Sequence, residues 1–252
     1  MIYKVWRLAV CAGLLLAASL PARAGDAPPT SAFTPAQRDE IVRIVRDALK
    51  RDPSILRDAV EALQADNDAR QQAAAKAAIA ARRSELVTAS DPSAGNPKGD
   101  VTVVEFFDVR CPYCKRLEPD LSRLMQADRG VRLVYKDMPI LGAPSVLGSK
   151  ALLAAQRQDK YDALRAVLMR DGAPPSDASI RAAAAAVGID IDRLERDMND
   201  PAIQARIDTN LRLAHELGIT GTPALVVGGT LIPGAVSLAE LESAVATARK
   251  AD

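Results

Sequence analysis

The 252 residues carry 33 Lys and Arg against 32 Asp and Glu, a formal charge of +1, and 48% of them are hydrophobic. That balance leaves no basic excess to hold a nucleic acid, while the length and apolar content suffice for a substantial core. Three cysteines and a single histidine offer few donors for a metal centre.

Lys4 and Arg7 precede an apolar run from Leu8 to Leu20, and Pro21-Ala-Arg-Ala24 puts small residues where a signal peptidase reads. Residues 1–24 are therefore predicted to be a cleavable export signal, which places the mature chain in the periplasm. The run is shorter than the about 20 residues of a membrane span. Val10 before Cys11 argues against lipid attachment there. Cleavage removes Lys4, Arg7 and Arg23, leaving 30 cations against 32 acids and only two cysteines.

Residues 25–33 read as a linker. Thr34-Pro35 is predicted to cap and start a helix carrying Ile41, Ile44, Val45, Ala48 and Leu49 at helical spacing. Asp52-Pro53 breaks it and starts a second, whose apolar face continues through Ile55, Leu56, Ala59, Val60 and Leu63. From Ala65 to Leu86 the composition stays helical but offers little bulk to bury. Ser90 to Gly99, with Asp91-Pro92, Gly95 and Asn96-Pro97, reads as a break. The helical region is thus expected over 25–89 and a second domain over 90–252.

Val101–Phe107 is the best strand candidate, β-branched and aromatic and largely apolar on both faces. A helix is predicted over Pro112 to Ala127 and a strand over Val131 to Lys136. Five helical patterns follow, a helical insertion over about 140–218. Ala224–Val227 and Thr230–Ile232 around Gly228-Gly229 read as a hairpin, and Leu238 to Arg249 as a last helix. The implied class is α/β, a small mixed sheet interrupted by helices.

The chemistry sits at Cys111-Pro-Tyr-Cys114. A strand feeds a helix there, so free backbone N–H groups and the positive helix end favour a thiolate on Cys111. Pro112 suits the first helical position. Cys114, three residues on, shares that helix face, can close a disulfide with Cys111 and is the more shielded. This predicts an exposed nucleophile at Cys111 and a resolving thiol at Cys114. Two readings compete. The pair could supply half of a metal site, although His215 is the only further donor of the usual type and reads as a surface or partly buried histidine. It could also be a structural disulfide, although so short a loop stabilises little.

Glu105-Phe-Phe-Asp-Val-Arg-Cys-Pro-Tyr-Cys-Lys115, with Gly218-Ile-Thr-Gly-Thr-Pro-Ala-Leu-Val-Val227 far downstream, resembles the DsbA-type branch of the thioredoxin superfamily over about residues 98–250. The resemblance implies a thioredoxin-like fold with a helical insertion and no cofactor. It also implies a cis peptide bond at Thr222-Pro223 beside the CxxC, in a loop that pairs with extended substrate near Pro112 and Tyr113. Glu105 matches a buried acid beneath the cysteines that relays the proton of Cys114. The chain departs from the strongest oxidases of this branch, which have Pro-His between the cysteines. Tyr113 supplies no positive charge, which leaves the direction of electron flow open. Arg110 and Lys115 flank the site and are the residues that would compensate.

The helical region resembles that of the subgroup containing the copper-tolerance protein ScsC and Com1-like proteins, in which a CxxC domain is joined to a helical oligomerisation region. The apolar face from Ile41 to Leu63 fits a self-associating seam. The expected partners are exported proteins with thiols or disulfides, a membrane redox partner and further copies of the chain. An oligomeric isomerase or reductase is the first expectation and a monomeric oxidase the second. A periplasmic binder holding a soft ion such as Cu(I) on both thiolates and a non-enzymatic chaperone are rivals from other classes.

Overall fold

A computed structural model describes residues 32–251, so the expected export signal lies outside the described residues. The chain forms two compact units that divide between Val60 and Glu61.

The first unit holds α1 (Pro35–Arg51) and the start of α2 (Ser54–Ala81). Thr34 caps α1, its hydroxyl accepting from the Gln37 N–H while the Gln37 side chain accepts from the Thr34 N–H, and Pro35 takes the first helical position. Asp52 restarts the chain by accepting from the Ser54 N–H at 3.0 Å. No residue of α1 is buried. Ile41, Ile44, Val45, Ile55, Leu56 and Val60 are all exposed, as is Leu63 beyond them.

The second unit takes in the rest of α2 and the single turn α3 (Arg83–Leu86), and is built on a five-stranded mixed sheet in the order β1-β3-β2-β4-β5. Its strands are β1 (Ser93–Gly95), β2 (Val101–Phe107), β3 (Val131–Asp137), β4 (Ala224–Val227) and β5 (Thr230–Pro233). β2 and β3 run parallel, joined by α4 (Pro112–Ala127), and the other three pairings are antiparallel. Gly228 (φ 52°) and Gly229 (φ 87°) make the turn between β4 and β5, and a Cβ on Gly228 would meet that of Ala248 at 2.4 Å. Five helices separate β3 from β4, namely α5 (Ala143–Gln156), α6 (Tyr161–Arg170), α7 (Asp177–Ala186), α8 (Ile191–Met198) and α9 (Pro201–Glu216). This is the expected insertion, and α10 (Leu238–Ala251) closes the unit.

Both faces of the sheet are covered, which explains why β2 reads as apolar throughout. Val103 and Phe107 pack with Leu117 and Leu121 of α4, Leu164 of α6 and Leu241 of α10. Val104 and Phe106 point the other way, toward Ile79, Leu86, Leu213 and Leu217. Two expectations change here. Ser93–Gly95, read as part of a break, is an edge strand pairing with β3, an order imposed by a partner distant in sequence. The end of α2, read as having little to bury, contributes Ala75 and Ile79 to the core because the second sheet face needs a cover. A buried cluster fastens that side. Lys136 Nζ donates to Asp91 and to the Glu85 carbonyl, all at 2.9 Å, and Arg206 reaches Asp91 from α9.

Candidate active site

Cys111 occupies the N-cap of α4 with extended backbone, and Pro112 follows at the first helical position. Its own N–H donates to the Asp108 carbonyl at 3.0 Å and its carbonyl accepts from the Lys115 N–H at 3.1 Å, so the cysteine starts the helix. Cys114 lies one turn on, fully buried, and both thiols are free. Cys111 is less open than the sequence implies, only 4% exposed. Its thiol donates to the Thr222 carbonyl at 3.1 Å, across a long stretch of chain. Thr222-Pro223 is cis, as the resemblance implies, and Ala224 next to it pairs with Phe106 of β2. The sheet register therefore delivers this loop to the cysteines. Of the expected site residues, Tyr113 alone among 111–114 carries a large exposed side chain, 54% accessible, with the Arg116 guanidinium 4.2 Å from its ring centroid.

Asp108 shapes the loop before the cysteines. It is fully buried, with Oδ1 accepting from the Arg110 N–H at 2.8 Å and Oδ2 accepting from the N–H groups of Ile140 and Leu141 at 2.9 and 3.0 Å. One carboxylate thereby ties the approach to Cys111 to the loop after β3. Arg110 also donates to the Leu141 carbonyl, and Lys115 to that of Asp171. Gly148 lets α5 approach the same loop, since a Cβ there would meet Val109 at 2.7 Å.

Beneath Cys114 lies a buried charge network. Glu105 points to the α4 side of β2 by strand alternation, with no exposed surface. Its Oε2 accepts from Arg165 at 2.9 Å, and Arg165 reaches Glu118 of α4 at 2.6 Å. The guanidinium also lies 4.7 Å from the ring centroid of Phe107 and 4.0 Å from that of Tyr135. Burial pushes Glu105 up from 4.5 to about 7, with Arg165 opposing and Glu118 adding to the rise. The Cys114 thiol is pushed far up, first by burial and then by the charge of Glu105. Asp137, accepting from the Tyr161 hydroxyl at 2.8 Å, is pushed by burial from 3.8 to about 6.

These positions have a consequence for stability. The folded chain binds protons on Glu105 and Asp137 that the unfolded chain has released, so their protonation favours folding at low pH and that stability is lost as pH rises through about 6 and 7. Urea unfolding should therefore show stability falling between about pH 5 and pH 7.5. Glu105→Gln should flatten that slope; an unchanged slope would contradict the assignment.

Arg165, Asp108 and Glu118 were not anticipated from sequence. The signal for Arg165 was present. It falls in the apolar stripe of Tyr161, Leu164 and Leu168 at helical spacing, where a cation needs a partner.

The chain is similar to several known proteins. A model of the DSBA-like thioredoxin domain matches residues 102–246, and one of the copper resistance protein ScsC N-terminal domain matches residues 37–75. A thioredoxin-like oxidoreductase from Silicibacter pomeroyi is 44% identical, covering 66% of this chain and 95% of that one with a TM-score of 0.64. Proteus mirabilis ScsC in a transitional conformation is 32% identical, covering 88% and 99% with a TM-score of 0.64. The probable disulfide bond formation protein D of Bacillus cereus is 28% identical over 55% of this chain and 70% of its own. The chain also matches Na(+)/H(+) antiporter NhaA 3 of Salinispora tropica at 27% identity, but spans only 26% of that protein's length. With the family model covering most of the sheet, the CxxC and the helical insertion, this chain belongs to the DSBA-like thioredoxin domain family.

Proposed function

We propose that this chain is a periplasmic thiol–disulfide oxidoreductase acting on exported proteins, with Cys111 as nucleophile and Cys114 as resolving thiol. The observation that carries it is the placing of Cys111 at a helix N-cap, its sulfur against the carbonyl that precedes a cis-proline, above a buried second cysteine. In reduction, the Cys111 thiolate attacks a substrate disulfide, forms a mixed disulfide and releases one substrate thiolate. Cys114 then gives up its proton, attacks Cys111 Sγ and releases the second thiolate, leaving the Cys111–Cys114 disulfide. Oxidation runs the same exchanges backward, with two electrons and two protons passing from the substrate dithiol. A membrane-bound redox partner resets the pair.

Glu105 is the base for the second step. A carboxylate near 7 takes up the Cys114 proton at neutral pH, which a thiol pushed so far up does not surrender to water unaided. Pro112, Tyr113, Thr222 and Pro223 line the approach, and an extended substrate segment lies along the Thr222-Pro223 loop.

The apolar faces of α1 and of the start of α2 are the self-association surface, and several such chains present their CxxC sites to one substrate as an isomerase or reductase. The support is the exposure of Ile41, Ile44, Val45, Ile55, Leu56, Val60 and Leu63, far more than single scattered residues. Sedimentation of the mature protein should show an oligomer, and Ile44→Glu with Leu56→Glu should return a folded monomer. A wild-type monomer would remove the oligomeric isomerase and leave a monomeric oxidase.

A further inference from the structure

We propose that the rim around Cys111 selects extended substrate segments that carry carboxylates and an apolar side chain beside their cysteine, a refinement that rests on the oxidoreductase reading above.

Among the described residues beyond Leu63, the large apolar side chains that are exposed are Tyr113, Ile140 and Leu141, at 54%, 41% and 42%. All three border the nucleophile. Tyr113 is two residues from it, and the N–H groups of Ile140 and Leu141 bond the carboxylate of Asp108. An apolar side chain next to a substrate cysteine is removed from water there.

The charge around them is mainly positive. Three segments meet at Cys111, namely 107–116, 139–149 and 217–227. They contain Arg110, Lys115 and Arg116, with Lys150 just beyond and Glu216, paired with Arg82, just before, while their single acid is Asp108. Asp108 is fully buried and both of its oxygens are occupied by backbone N–H groups. None of Arg110, Lys115 and Arg116 forms an ion pair among the described residues. Arg110 and Lys115 donate to backbone carbonyls and Arg116 lies over Tyr113, contacts that hold the cations in place without neutralising them. Two of the nearby acids are paired elsewhere, Glu118 with Arg165 and Asp120 with Arg123, while Asp171, whose Oδ1 accepts from the Ala173 N–H, keeps its charge near Lys115.

Helix stability does not account for this arrangement. Lys115 and Arg116 sit close to the positive end of α4, where a cation is disfavoured, and no acid occupies the first turn. Cations fixed there attract the carboxylates of an arriving chain and align it along the Thr222-Pro223 loop.

The test uses the oxidised mature protein and three synthetic peptides, each with two cysteines and flanked by aspartate, asparagine or lysine. Two electrons and two protons pass from the peptide dithiol to the Cys111–Cys114 disulfide, and quenched-flow mass spectrometry reads the rate. Each rate is divided by that of the same peptide with hydroxyethyl disulfide, a neutral oxidant, which removes the effect of the flanks on the peptide's own thiols. The aspartate peptide should exceed the lysine peptide about tenfold at low salt, the lower end of electrostatic steering. The ratio should fall toward one near 1 M salt, where the screening length is about 3 Å. Arg116→Glu should cut the low-salt ratio severalfold. A ratio near one at low salt, or one indifferent to salt, overturns the selectivity while leaving the oxidoreductase intact if the asparagine peptide is oxidised. Three inert peptides overturn both.

Discussion

Cys111→Ser should abolish insulin reduction and the refolding of scrambled ribonuclease, lowering both by a factor on the order of 10³ or more, as removal of a nucleophile that works with a partner does. The serine hydroxyl remains protonated at neutral pH and forms no mixed disulfide. The fold should persist, because the side chain of Cys111 makes one hydrogen bond, to Thr222, and serine retains a donor. Cys114→Ser should behave differently. Cys111 would still attack, but nothing would resolve the product, so substrate should accumulate on the protein as a mixed disulfide. Activity surviving in the Cys111 variant would end the catalytic assignment, whatever the family.

The second large effect is expected at Arg165. Methionine there leaves Glu105, with no exposed surface, and Glu118 without their shared cation. Removing one partner of a buried ion pair costs about 3–5 kcal/mol, because the remaining charge stays uncompensated. Loss of the guanidinium also removes the one influence that lowers Glu105 most, so the carboxyl should titrate higher still. The destabilisation should accordingly be greatest above neutrality and shrink toward pH 5, where Glu105 holds its proton in either protein. Urea unfolding followed by circular dichroism at both ends of that range measures it. Arg165→Lys keeps the charge but cannot reach both carboxylates in the fork geometry, so it should fall between the two. Equal midpoints for wild type and Arg165→Met would show that the network contributes nothing to folding.

The contrast between Cys111 and Arg165 explains what the sequence made legible. Cys111, Pro112 and Cys114 announce themselves because strand, turn and helix start are contiguous, and local chemistry alone puts the first sulfur at a helix N-cap. β2, α4, and the β4–β5 hairpin were readable for the same reason, each having its period or its turn residues within a few positions. Glu105 and the cis bond at Thr222-Pro223 were reached through resemblance, since neither is dictated by its neighbours. Arg165 bonds a residue 60 positions away, and Asp108 organises N–H groups 32 and 33 positions on. Such pairings exist only once the insertion has folded back on α4. β1 was missed on similar grounds, because Ser93-Ala-Gly95 has the composition of a turn and becomes a strand through β3. The burial of Cys111 itself belongs here too, since its cover comes from the Thr222-Pro223 loop.

The division of labour between the two sulfurs can be measured directly. Brief iodoacetamide treatment of the fully reduced protein near neutral pH, followed by peptide mapping, reports which thiol reacts. Carboxamidomethylation of Cys111 with Cys114 spared is the expected result, because Cys111 stands at the helix N-cap beside the Thr222-Pro223 loop while Cys114 has no exposed surface and burial and the charge of Glu105 hold its sulfur protonated. Labelling of Cys114 first, or of both at equal rates, would contradict it.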